Sequence, residues 1–239
     1  MKLLAIDCAA NLCAACVHDA DVGIELGRQV LDLGKGHAEH LMAVIEAALK
    51  ASGIGYQGLD AVAVSIGPGS FTGLRVGVST ARGLALALKI PAIGVTTLAA
   101  EAANAFPGRA VLAALDAGRE ELHAALFDEA LVLTYGPTVA TLSQATGMAV
   151  DAKAVLTGTA APLIAASGHG FDTGPAVATA DIATYARLAA AKGPGAKPKP
   201  LYLRGADAKP QAGFILPRRS HESGKPGSGE DHAPKGKKS

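Results

Sequence analysis

Cysteine is scarce in this chain of 239 residues, and the three present, Cys8, Cys13 and Cys16, all fall near the start. An odd, clustered set gives no complete disulfide framework and fits a reducing compartment. Cys13 and Cys16 form a C-x-x-C, yet "LCAACVHD" reads as a strand, on which residues three apart point to opposite faces. No second pair completes a zinc site, so both are expected as small buried residues. Long apolar runs are also missing. The run after Lys2 is cut by Asp7, so no signal peptide is expected, and "GLALALKIPAIGV" is broken by Lys89 and Pro91, short of a membrane span. A cytoplasmic protein without a membrane segment is expected.

The usual phosphate and nucleophile motifs are lacking too. "GPGSFTGLRVG" (67–77) is rich in glycine, but no Gly-Lys pair makes it a P-loop. Thr72 stands where a dinucleotide fingerprint needs its third glycine. Ser70 is followed by Phe71 and Thr72, so the loop is not the G-x-S-x-G elbow of a hydrolase. What remains is a strand-to-helix corner, Gly67, Pro68, Gly69, Ser70, Phe71, Thr72 and Gly73, in which glycines turn the chain and Ser70 or Thr72 caps a helix. No metal site is expected either. His37 and His40 share a helix face without a carboxylate or third histidine at a suitable spacing.

Hydrophobic content, at 49%, is ample for a core. Charge is divided unevenly: the segment from Pro217 onward has six Lys/Arg against three Asp/Glu, so it carries +3 and the rest −2. Its Gly, Pro, Ser and Lys content predicts a disordered basic tail over 217–239. The slightly acidic body argues against direct nucleic-acid binding.

Residues 2–7, 12–18 and 22–31 read as a strand meander, followed by an amphipathic helix over 37–52 with Leu41, Val44, Ile45, Ala48 and Leu49 on one face. An apolar strand (59–66), the glycine loop, a helix (74–89), a strand (90–95) and a helix opening with "TTLAAEAANAF" complete a βββαβαβα order. The second half repeats it with strands at 110–116, 121–128 and 131–135, a helical patch at 141–148, strand "AKAVLTG", helix "TAAPLIAAS", strand "PAVAT" and closing helix "DIATYARLAAAK". Asp7 and Asp116 end the first strand of each half. The repeat predicts an α/β protein with the duplicated ribonuclease H-like fold of the actin and sugar-kinase class, called ASKHA. Its lobes are expected over 1–105 and 106–193, the second smaller, with a linker and strap over 194–216.

The helix after the loop is apolar round most of its circumference. Arg75, Ser79 and Arg82 form a narrow polar stripe, and Gly77, Ala81, Gly83 and Ala85 let another helix approach closely. Its surplus apolar surface is expected to meet a neighbouring domain or another protein.

Together "AIDCA", "GHAEHLMAVIEAAL", "IGPGSFTGLRVGVSTARGLALAL", "IPAIGVTTLAA", "LDAGREELHAALF" and "PLYLR" resemble the TsaB (YeaZ-type) family, densely over 1–105 and more thinly over 106–205. The resemblance implies a non-catalytic partner of TsaD. With the ATPase TsaE, that pair installs threonylcarbamoyl on the adenosine 3′ of the anticodon in tRNAs reading codons that begin with A. In TsaD-type proteins two histidines bind the metal, and Thr97 and Glu101 stand where they would fall. The resemblance further implies that ATP and metal belong to TsaD and TsaE, so that no cofactor is bound by this chain alone and tRNA is met only indirectly. The partner-facing set is then His37, Leu41, Met42, Ile45, Arg75, Val78, Arg82, Leu84 and Leu88, on a face that also allows a homodimer. The competing expectation is a free-standing actin-like ATPase or kinase, with Asp7 and Asp116 flanking phosphates and magnesium.

Overall fold

The computed structural model describes residues 1–105 and 108–203, which belong to one compact unit. The first half forms β1 (Lys2–Asp7), β2 (Leu12–Asp19), β3 (Ile24–Asp32), α1 (His37–Ser52), β4 (Ala61–Ser65), α2 (Phe71–Leu88), β5 (Ala92–Val95) and α3 (Thr97–Ala103). The second forms β6 (Val111–Asp116), β7 (Glu121–Phe127), β8 (Leu133–Thr141), α4 (Leu142–Ala152), β9 (Val155–Thr157), α5 (Ala161–Ala165) and α6 (Ile182–Lys192). The first sheet has the order β3-β2-β1-β4-β5 and the second β8-β7-β6-β9. In both, the first strand of the half is flanked by an antiparallel and a parallel neighbour. This is the duplicated ASKHA-like architecture.

Alternation along the strands separates the cores. Leu4, Ile6, Val62 and Val64 point to the face covered by α1 and α2, while Leu3, Ala5, Ala61 and Ala63 point to the face covered by α6. Cys13 lies in the first of these clusters and Cys16 in the second, and all three cysteines are buried and free. On the second sheet, α4 and α5 cover one face and α3 packs on β6 and β7 at the other. The layers therefore run α1/α2, first sheet, α6 with α3, second sheet, α4/α5. α6 follows the second sheet in the chain, within the segment expected as the second lobe, yet covers the first sheet.

Three elements depart from expectation. α2 begins at Phe71 rather than Leu74, because the Ser70 hydroxyl caps it by accepting from the Gly73 N–H at 3.2 Å. The strand expected at 131–135 runs over Leu133–Thr141 and leads directly into α4, which opens with a capping box between Thr141 and Gln144. "PAVAT" is not a strand: a single parallel bridge joins Leu156 to Thr173, after which the Pro175 carbonyl accepts from the Gly158 N–H. Pro175 has no N–H for a ladder, and Val177 lies exposed. The tail expected over 217–239, and the strap beyond 203, lie outside the described residues.

Candidate functional site

The glycine loop is built for close approach to the end of β1. A Cβ on Gly69 would overlap the Ala9 carbonyl oxygen, and one on Gly73 the Cys8 carbonyl oxygen. The Ser70 N–H donates to that Ala9 carbonyl at 2.7 Å. Gly67 has φ +98°, and a side chain there would also meet Leu74 and the Leu201 carbonyl. Residues 198–202 pass alongside: Leu201 N–H donates to the Ile66 carbonyl at 2.7 Å, and the Tyr202 ring rests 4.9 Å from that of Phe71. The Arg75 guanidinium lies 3.9 Å over the Phe71 ring and donates to the Tyr202 hydroxyl at 3.0 Å. The loop is thus a packed corner whose first helical turn bears an exposed aromatic and arginine cluster.

At the end of β1, Asp7 is 1% exposed. Its Oδ1 accepts from the Ala9 N–H at 2.9 Å and its Oδ2 from the Thr179 hydroxyl at 2.6 Å. The Thr179 proton is committed to Asp7, so Tyr185 of α6 donates its own hydroxyl proton to the Thr179 oxygen at 2.7 Å. Burial pushes the Asp7 carboxyl above its ordinary range, against the Ser65 and Thr179 hydroxyls and the Ala9 N–H, which favour its ionised form. Burial, then the Asp7 charge, push the Tyr185 phenol well up. Thr97 and Glu101, at the positions where the family's metal histidines would fall, are also fully buried on α3. Burial pushes the Glu101 carboxyl up to about 8. Among the described residues no three His, Cys, Asp or Glu side chains are grouped to hold a metal ion.

The two acids expected to flank phosphates therefore occupy unlike places. Asp116 is exposed and closes a turn by accepting from the Gly118 N–H at 2.7 Å, whereas both Asp7 oxygens are engaged inside the protein. Neither lines the surface cavity of about 320 Å³ beside Glu46, Ile54 and Tyr56, nor the one of about 260 Å³ beside Arg109, Lys153 and His169.

The expected partner face divides in the same way. Met42, Arg75 and Arg82 are exposed. Leu84 and Leu88 are half-buried against the core, and Leu41, Ile45 and Val78 lie within it, so these five support the face from beneath. His37 is buried, with its Nε2 placed 3.2 Å from the Leu12 carbonyl, and ties α1 to β2. Two outward residues were missed: Leu86 is 80% exposed and Phe71 48%. Both lie on the Ser79 and Arg82 side of α2, and their spacing from the polar stripe was the available signal.

A sequence profile of the family described as TsaD, tRNA N6-adenosine threonylcarbamoyltransferase, matches residues 32–184. This chain belongs to the TsaD family and is of its TsaB/YeaZ type. An Escherichia coli relative named tRNA threonylcarbamoyladenosine biosynthesis protein TsaB is 35% identical over 127 residues, 52% of this chain and 53% of that protein. The chain thus matches about half the length of that relative. An uncharacterized Mycobacterium tuberculosis protein is 35% identical over 88% of this chain and 95% of its own length. The YeaZ structure from Pseudomonas aeruginosa superposes with a TM-score of 0.68 at 24% identity, covering 84% of this chain and 99% of its own. A second structure from that organism, described as similar to peptidase YEAZ, gives 0.72 at 24% identity, covering 85% and 99%. Both support the family fold. No helix among the described residues is long and apolar enough to cross a membrane.

Proposed function

We propose that this TsaB/YeaZ-type chain is a non-catalytic interaction subunit in tRNA threonylcarbamoyladenosine biosynthesis, docking through the outer face of α1 and α2 onto a TsaD-type threonylcarbamoyltransferase. The observation that carries this reading is the outer face of α2. Leu86, with 80% of its surface exposed, stands between Arg82 and Lys89 beside Gly83, around whose missing side chain lies open space. An exposed leucine next to a glycine is the surface a second helix packs on at short range. Met42 on α1 lies 45% exposed and Phe71 supplies an aromatic anchor. The TsaB name of the relatives supports the process, and the match to a tRNA N6-adenosine threonylcarbamoyltransferase of Anaeromyxobacter dehalogenans, 46% identical over 72 residues, supports kinship with the partner. In this reading ATP and metal belong to TsaD and TsaE, and the same face pairs two copies when the partner is absent. The burial of Asp7 stands against a free-standing ATPase or kinase.

Light scattering on size-exclusion peaks tests the placement. The wild-type chain is expected to co-elute with a TsaD-type protein, and Leu86→Asp to elute alone, with stability changed by no more than about 0.5 kcal/mol because the side chain is solvent-facing. Undiminished association of Leu86→Asp overturns the docking face. Stoichiometric ATP hydrolysis by the isolated chain overturns the non-catalytic role.

A further inference from the structure

The layer between the two sheets contains an acid that the proposed docking does not use. Glu101 lies on α3, fully buried, with its Oε2 3.5 Å from the Thr157 hydroxyl of β9. That hydroxyl owns one proton, and the Pro175 carbonyl, 3.0 Å away, can only accept it. The hydroxyl therefore shares its one proton between the nearer Pro175 carbonyl and Glu101 Oε2, so against burial it favours the Glu101 charge only weakly. The other oxygen, Oε1, is buried without a hydrogen-bond partner among the described residues. A carboxylate there would have only the shared Thr157 proton as donor and no counter-ion among the described residues.

We propose that the Glu101 carboxyl is a proton-operated joint between the sheets, holding α3 against β9 while it carries its proton and loosening that contact when it loses it. Its site is the middle layer, where α3 packs on β6 and β7 of the second sheet and meets α6, which covers the first. The titratable groups that face it are Asp7 from the end of β1 and Tyr185 from α6. Asp7, when ionised, repels a second negative charge, and Tyr185 is held neutral by its burial. Neither supplies a cation to compensate an ionised Glu101. Burial, the largest influence, holds the Glu101 proton up to about 8, against an ordinary value of 4.5.

The linkage has a defined sign. In the unfolded chain Glu101 ionises near 4.5, whereas folded it keeps its proton to about 8. Its contribution is fully present below the lower value, declines through the window and levels off above the upper one. Glu101→Gln preserves shape and neutrality, so its folding constant, relative to wild type, is expected to rise by up to about tenfold per pH unit across that window.

The experiment is amide hydrogen exchange on the full chain, wild type and Glu101→Gln, from about pH 6 to 9.5, corrected for intrinsic exchange. The expected result is that protection in α3 and β9 falls at least about tenfold further in the wild type than in the variant. Identical pH profiles of α3 and β9 in the two proteins overturn the proposal. Carbon NMR of glutamate-labelled wild type needs no variant to fold: a Glu101 midpoint near 8 is expected, and a midpoint near 4.5 overturns the proposal.

Discussion

Asp7 and Asp116 end corresponding strands, β1 and β6, and close the same small turn. Each accepts the N–H two residues on, Ala9 at 2.9 Å and Gly118 at 2.7 Å. In each half the loop after the parallel strand also returns over the end of the first strand, but at different positions: the Ala9 carbonyl, two residues past Asp7, receives Ser70 N–H at 2.7 Å, and the Ala114 carbonyl, two before Asp116, receives Ala160 N–H at 3.1 Å. Around these two acids the halves differ where α6 arrives. It covers the first sheet and brings Thr179 and Tyr185 onto Asp7, while the Asp116 carboxyl stays exposed. One helix, added from the far end of the chain, converts a surface turn acid into a buried node.

The shared motif predicts the largest effects. Gly73→Ala drives a Cβ into the Cys8 carbonyl, and Gly158→Ala drives one into the Ala114 carbonyl at φ +88°. Neither obstacle is a movable side chain, so each is expected to cost about 1–3 kcal/mol or more in urea denaturation. Gly147→Ala, on open space within α4, is the control and is expected to gain up to about 1 kcal/mol. If only Gly73→Ala is costly, the two loops are not equivalent.

The unshared environment comes next. Asp7→Ala leaves the Thr179 hydroxyl and the Ala9 N–H without their acceptor inside the protein, at about 1–3 kcal/mol. Asp116→Ala removes an exposed acceptor and is expected to stay within about 0.5 kcal/mol. Equal losses would mean that the burial of Asp7 contributes nothing.

Much of this architecture was legible in the sequence because alternation and helical spacing are local signals. β1, β4, α1 and the opposite-facing Cys13 and Cys16 needed no tertiary knowledge. The destination of α6 did need it. "DIATYARLAAAK" announces an amphipathic helix, but two sheets with apolar faces both offer it a seat. On α2 the signal was present but unused: helical spacing puts Leu86 on the side of Arg75, Ser79 and Arg82, and it faces out, while Leu84 and Leu88 pack inward. Glu101 was noticed only as an absent histidine. Its burial against Thr157 depends on a contact across 56 residues.

The smallest effect concerns how α6 is fastened. Asp181 caps the helix by accepting from the Ala183 N–H at 2.9 Å, and it pairs with Arg28 of β3 at 2.8 Å. Burial opposes the Asp181 charge, but the Arg28 hydrogen bond, the Ala183 N–H and the nearby guanidinium charges outweigh it and hold the carboxyl below its ordinary value. Its contribution is therefore present above the ordinary carboxylate pKa and lost as pH falls through the folded one. Asp181→Asn keeps a good cap and removes only the ion pair. Both partners are over two-fifths exposed and Arg28 retains Glu25 at 2.5 Å, so the loss is expected to be under about 1 kcal/mol and to shrink with salt. Asp181→Ala removes the cap too and is expected to cost about 1 kcal/mol more. A salt-sensitive loss above about 2 kcal/mol for Asp181→Asn would mean that α6 is held at its rim by charge. The apolar seat of Ile182, Tyr185, Ala186 and Ala189 would then no longer explain why one acid is buried and its counterpart is not.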